Sequence, residues 1–275
     1  YVKASNTEAQ DDFARAVALS DDGDTLAVGA PLENGDDGGG ENNSGAAYVY
    51  VRAGATWGLE AYVKAATAAA VSDVSAGDNF GHAVALSGDG TTLAVGAPFE
   101  DSAALSVDGD AADDCDTIVL INCATDSGAA YIYLRNGATW GPQAYVKASN
   151  AEELDLFGQA LRLTANGDML AVGAVQEDSQ TTGVGGEQSD NVGTNSGAVY
   201  LFARDGTDWS DLAYAKESTS GEDDNFGYAL DLSSDGTTLA ASAPFEDSNA
   251  TGFGGEVGDE QDDDNAAEAG AVYLF

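Results

Sequence analysis

The stretch D-N-F-G-H-A-V-A-L-S-G-D-G-T-T-L-A-V-G-A-P at residues 78–98 holds two short apolar runs, A-V-A-L and T-L-A-V, on either side of D-G. Asp-Gly between such runs signals a β-hairpin, because glycine takes the positive φ that a tight turn requires. The pattern recurs from Asp11, Asp155 and Asp224. Phe13, Phe80, Phe157 and Phe226 lie 67, 77 and 69 residues apart, and a glycine follows each by ten positions, at Gly23, Gly90, Gly167 and Gly236. A register that stays constant while unit length varies marks tandem structural repeats.

Each hairpin is followed by a long polar loop and then a third apolar run, beginning at Gly45, Gly128, Gly197 and Gly270. A turn such as R-N-G-A-T-W leads to a fourth run, at Ala61, Ala144 and Ala213. No segment shows sustained helical periodicity. Four antiparallel strands per repeat is the blade pattern, so the chain reads as an all-β, four-bladed β-propeller of four-stranded antiparallel blades. The boundaries fall at residues 1–10 for a lone fourth strand, 11–69, 70–149 and 150–218 for three full blades, and 219–275 for a blade of three strands. The lone strand (Tyr1, Val2, Lys3, Ala4, Ser5) supplies what the last one (Val272, Tyr273, Leu274, Phe275) lacks. Three outcomes follow: closure within one chain, completion of a neighbouring copy to give a fibre, or an arc of a longer propeller. Loop length varies only between the second and third strands, which places variable function on one face.

Charge narrows the partners. The 275 residues carry 48 acidic and 9 basic side chains, a formal net charge of -39. Such a surface repels nucleic acid and anionic membranes, and it calls for screening salt or bound cations. No run is long and apolar enough to span a bilayer. The first residue is Tyr1, so the chain reads as mature, trimmed, or a window on a longer protein. Cys115 and Cys123 flank a short apolar run. They read as a disulfide-closed hairpin in an oxidising compartment, or alternatively as two buried thiols. Asn42 and Asn249 fit glycosylation sequons.

F-G at Phe80, Phe157 and Phe226, with G-A-P at Gly29 and Gly96, resembles the FG-GAP repeat of the integrin α-subunit propeller and of bacterial secreted proteins. Ala14, Val175 and Ser242 depart from the motif. The resemblance implies a propeller, an extracellular location, adhesive or ligand-binding roles, and calcium sites. Calcium loops of that family carry dense carboxylates between the two motifs, whereas here S-D-D-G-D, S-G-D-G-T, A-N-G-D and S-S-D-G-T read as plain turns. The better calcium candidates are Glu100, Asp101, Glu177, Asp178, Glu246 and Asp247, whose E-D-S sequence recurs before loops rich in oxygen ligands. Solvated acidic loops are the alternative.

His82 is the only histidine, and no motif supplies oriented partners for a triad. Lys3, Lys64, Lys147 and Lys216 recur in the fourth strand and Arg52, Arg135 and Arg204 after the third, so the scarce cations belong to the repeat framework. Trp57, Trp140 and Trp209 recur as packing residues. The function expected is a non-enzymatic extracellular structural or adhesive module that self-assembles by strand sharing or engages a protein or glycan. A secreted polysaccharide hydrolase or lyase and a calcium-dependent binder are the alternatives.

Overall fold

The computed structural model describes residues 1–6, 8–34, 43–65, 77–108, 123–248 and 266–275, which form strands and no helix. The first blade comprises β1 (Val17–Leu19), β2 (Thr25–Ala30), β3 (Ala46–Ala53) and β4 (Thr56–Val63). The second comprises β5 (Ala83–Leu86), β6 (Thr92–Ala97), β7 (Ala129–Asn136) and β8 (Thr139–Val146). The third comprises β9 (Phe157–Leu163), β10 (Met169–Ala174), β11 (Ala198–Asp205) and β12 (Asp208–Ala215). The fourth has β13 (Leu230–Leu232), β14 (Leu239–Ala243) and β15 (Ala271–Leu274). Strands are antiparallel and neighbours in chain order, giving three four-stranded sheets and one three-stranded sheet.

The first hairpin of each blade is locked by its own side chains. In the second blade Ser87 Oγ accepts the Thr92 N–H at 2.9 Å and donates to Asp89 at 2.6 Å, while Gly90 takes φ 66°. The second hairpin carries a bulge in every full blade, so Glu60, Gln143 and Leu212 have no residue opposite them. A bulge re-aims the extra side chain. Glu60 accordingly reaches the next blade, accepting from Arg135 at 2.6 Å and Trp140 Nε1 at 3.1 Å, and Gln143 accepts from Trp209 Nε1 at 3.0 Å.

Blades stack through the two motif glycines. A Cβ on Gly96 would sit on the carbonyl oxygen of Gly158, 3.0 Å from its carbon; Gly29 meets Gly81 and Gly173 meets Gly227 in the same way. The F-G of one blade therefore lies against the G-A-P of the blade before it. Around this contact Val84 and Leu86 pack on Ala47 and Val49, Leu161 on Ala130 and Ile132, and Leu230 and Leu232 on Val199. Each Phe packs edge-on against the third-strand Tyr of its own blade, as Phe80 does on Tyr131 at 5.3 Å.

Of the three outcomes open to the first strand, closure within one chain is not formed among the described residues. Residues 1–4 lie along the first blade: Ala4 is buried against Tyr48 and Tyr50, and Tyr50 donates to the Lys3 carbonyl at 2.9 Å. Tyr133 makes the same bond to the Lys64 carbonyl at 2.8 Å, so this segment sits where a fourth strand meets the blade after it. The four blades form an open arc. Val17 and Leu19 are 63% and 55% exposed at one end, and Val272 and Leu274 are each 67% exposed at the other. Their counterparts in the interior of the arc, Val84, Leu86, Ala130 and Ile132, are buried.

Candidate functional site

At the base of the loop between the second and third strands each full blade encloses a glutamate, a lysine, a serine and a tyrosine. Lys147 donates to Glu100 at 2.7 Å and to Ser127 Oγ at 2.6 Å, and Tyr145 donates to Glu100 at 2.8 Å. Lys216 binds Glu177 at 3.0 Å and Ser196 Oγ at 2.6 Å, with Tyr214 on Glu177 at 2.9 Å. Lys64 binds Glu33 at 3.1 Å and Ser44 Oγ at 2.7 Å, with Tyr62 on Glu33 at 2.6 Å. Lys147 and Lys216 are fully buried. Burial first, then the glutamate charge, pushes the Tyr131, Tyr145 and Tyr200 hydroxyls well above the usual phenol range.

This gives Glu100 and Glu177 a role that the reading as calcium ligands did not assign: each is the counter-ion of a fourth-strand lysine. Asp101, Asp178 and Asp247 accept the backbone N–H groups of Asp126 at 2.8 Å, Asn195 at 2.7 Å and Glu268 at 2.6 Å, fastening the returning loop. Glu246 is buried and takes part in no ion pair among the described residues. The pairing signal is present in the sequence, where a glutamate two residues beyond each G-A-P position (Glu33, Glu100, Glu177, Glu246) is matched in number by one lysine per fourth strand. Glu33 lies in L-E-N, without the E-D-S sequence that marks the other three.

The hairpin-turn carboxylates are bonded within their own turns. Asp22 accepts from Ser20 Oγ and the Asp24 N–H, and Asp235 accepts from Ser233 and Thr237. Hydrogen bonds from Ser233, then Thr237, hold the Asp235 carboxyl down at about 2. In each case one carboxylate oxygen is taken up by its own turn. Among the described residues no group of three or more His, Cys, Asp or Glu converges to hold a metal.

Asp11, Asp155 and Asp224, each two residues before the motif Phe, accept the N–H of the residue three positions earlier at 2.7, 2.9 and 2.8 Å. Burial, opposed by the Glu152 N–H and reinforced by the Glu177 charge, pushes Asp155 up to about 8. Its folded form therefore keeps a proton that the unfolded chain releases near pH 4, and stability falls as pH rises between those values. The expected slope is up to about 1.4 kcal/mol per pH unit. Urea denaturation across that window checks this, and Asp155→Asn, which keeps the acceptor, is expected to flatten it.

Burial, then the Arg15 charge, lowers the His82 pKa, and Asp12 opposes the shift. His82 lies half-buried beside the first blade, and no hydroxyl or thiol nucleophile is bonded to it among the described residues. Cys123 is disulfide-bonded. Cys115, Asn42 and Asn249 lie outside the described residues.

The FG-GAP repeat family matches residues 2–50 and 63–133, the first two blades. The first two blades are FG-GAP repeats. Its third and fourth blades carry the same F-G positions, Gly158 and Gly227, in the same contact with Gly96 and Gly173. No curated protein matches this chain by sequence. Among solved structures it is similar to Saccharomyces cerevisiae Sqt1 (10% identity) and Kuenenia stuttgartiensis hydrazine synthase (11% identity), each with a TM-score of 0.46 over 88% of this chain. It spans 45% of either chain. At these scores the likeness carries no argument, and the blade assignment rests on strand order and the repeated motif.

Proposed function

We propose that this protein is a non-enzymatic extracellular structural or adhesive module, which presents its variable second-to-third-strand loops to a protein or glycan partner. One observation carries this reading. The polar clusters at the loop bases recur blade by blade, and each is closed on itself by a lysine, a serine and a tyrosine. Catalysis asks instead for a unique constellation open to substrate. The cluster that is not repeated, around Glu217, is sealed, with Glu217 at 0% exposure. The disulfide-bonded Cys123 suits an oxidising compartment.

The test is direct. The purified protein incubated with a panel of polysaccharides is expected to release no new reducing or unsaturated ends, whereas release would install the hydrolase or lyase reading. Binding to glycan and matrix-protein arrays is expected, and a variant with residues 181–191 replaced by a short Gly-Ser linker is expected to lose it. Arrays that stay blank for the intact protein would remove the adhesive reading.

The end faces oppose self-assembly by the repeat contact. Joining two copies that way sets Ser242 against Ala14, where interior junctions pair Gly29 with Gly81, Gly96 with Gly158 and Gly173 with Gly227. Side chains at both positions crowd a contact that the interior junctions make with two glycines. Sedimentation velocity is expected to show a monomer, with concentration-dependent association appearing in the Ala14→Gly, Ser242→Gly double variant. Filaments or closed oligomers of the unaltered protein would reverse this argument.

A further inference from the structure

Buried side-chain oxygens without a hydrogen-bond partner are concentrated at one place. Among the described residues they are both carboxylate oxygens of Glu217 and Ser220 Oγ, with Thr219 Oγ1 set against the Tyr273 hydroxyl, all within residues 217–220 at the junction of the third and fourth blades. Unpartnered buried polar atoms are rare in folded proteins, and a group of them calls for an explanation.

The repeat shows what has changed. The residue after the fourth-strand lysine is Ala4, Ala65 or Ala148 in the other units. Ala148 is fully buried in the cluster that holds Phe157, Tyr200 and Phe202. Glu217 takes that position at 0% exposure. Asp224, 4% exposed and held by the Gly221 N–H at 2.8 Å, faces it within carboxyl-to-carboxyl reach. Glu246 and Tyr273 border the same space. One repeat back, Asn150 donates to Glu177 at 3.1 Å; Thr219 occupies the equivalent position and has no amide to give. Burial, followed by the Asp224 charge, pushes Glu217 up to about 9.

Two facing carboxyls, buried with no lysine or arginine bonded to either among the described residues, need a source of positive charge or of donors. A single proton shared by Glu217 and Asp224 provides one donor and leaves the other oxygens as they are. The structure assigns this cluster to a hard cation of the calcium class, held by the Glu217 and Asp224 carboxylates with the Thr219 and Ser220 hydroxyls. Calcium accepts many oxygen ligands in irregular geometry, whereas magnesium keeps several waters and suits a dry site poorly. The site is separate from the hairpin turns and from the lysine-paired Glu100 and Glu177, and it does not depend on the function proposed above.

Isothermal calorimetry on the chelator-treated 275-residue protein, titrated with calcium chloride and separately with magnesium chloride at physiological ionic strength, tests it. The expected result is one saturable calcium site and a calcium-dependent rise in Tm. Magnesium is expected to bind less tightly. Glu217→Ala, the residue that the other repeats carry, is expected to fold and to lose about tenfold or more in calcium affinity. Glu217→Gln, which supplies its own donors, is expected to behave likewise. Equal calcium binding by the protein and both variants would place the ion elsewhere and overturn the assignment. Absence of any calcium site, with Glu217→Ala merely more stable, would overturn it too, in favour of a shared proton.

Discussion

Gly96→Ala is expected to cost about 3–5 kcal/mol, the largest loss from adding a single methyl group to this protein. Gly96 lies in β6, fully enclosed, and a Cβ there would meet the Gly158 carbonyl 3.0 Å from its carbon and Leu161 Cδ2 at 3.3 Å. The first of these neighbours is backbone and has no rotamer by which to withdraw. Room is made only by parting the second and third blades, which loosens the packing of Ile132 on Leu161. Gly58 and Gly141, in β4 and β8, serve as controls, since a Cβ at either meets nothing within 4 Å. Alanine at those positions is expected to be neutral or to stabilise by about 0.5–1 kcal/mol. Guanidinium denaturation followed by circular dichroism measures all three. A Gly96→Ala loss no larger than that of the controls would mean that the F-G and G-A-P glycines do not set the blade spacing.

The second large effect is at the buried ion pair of the second blade. Lys147→Ala is expected to destabilise by about 3–5 kcal/mol, because it leaves the Glu100 carboxylate buried with an uncompensated charge. The pair is well enclosed, at 0% and 3% side-chain exposure, and only Tyr145 remains to donate to Glu100. Glu100→Leu combined with Lys147→Met is expected to recover most of that loss, since an apolar pair of similar volume escapes the desolvation penalty of two ions. Arg162 and Asp231 provide the contrast at 3.7 Å and 48% and 85% exposure. Removing that pair is expected to change stability by less than about 1 kcal/mol. A double-mutant cycle from urea curves gives both coupling energies. A double variant as unstable as Lys147→Ala alone would show that the pair specifies the blade geometry and does more than neutralise itself.

Much of the fold was legible because its signals are local. The D-G and N-G turns, the alternation around A-V-A-L and the recurrence of G-A-A-Y set strand, turn and blade without reference to any distant residue. Strand order then follows, since consecutive antiparallel strands joined by short turns pair as neighbours. The bulges at Glu60 and Gln143 were not legible. They have no signature of their own, and what they accomplish, a contact with Arg135, Trp140 or Trp209 of the next blade, spans 66 to 80 positions in the chain.

The candidate site shows the same division more sharply. Dense carboxylates after G-A-P read as oxygen ligands for a cation, and only the packing reveals that Glu100 and Glu177 meet lysines 47 and 39 residues away. Residue type gives charge; it does not give the partner. Glu217 and Ala14 are single departures from a repeat, and in a sequence each looks like ordinary variation. Burial at 0% turns the first into a demand for a cation or a proton. The glycine contacts turn the second, together with Ser242, into an obstacle to further stacking.

The sequence by itself determined that this protein is an all-β array of repeated blades with a strongly acidic composition, because turn chemistry, strand periodicity and net charge are properties of neighbouring residues or of simple sums. Only the tertiary structure decided that the arc is open, that the recurring glutamates neutralise buried lysines, and that Glu217 and Asp224 share a dry enclosure. Those outcomes depend on distance and desolvation, which come into existence when blades pack face to face.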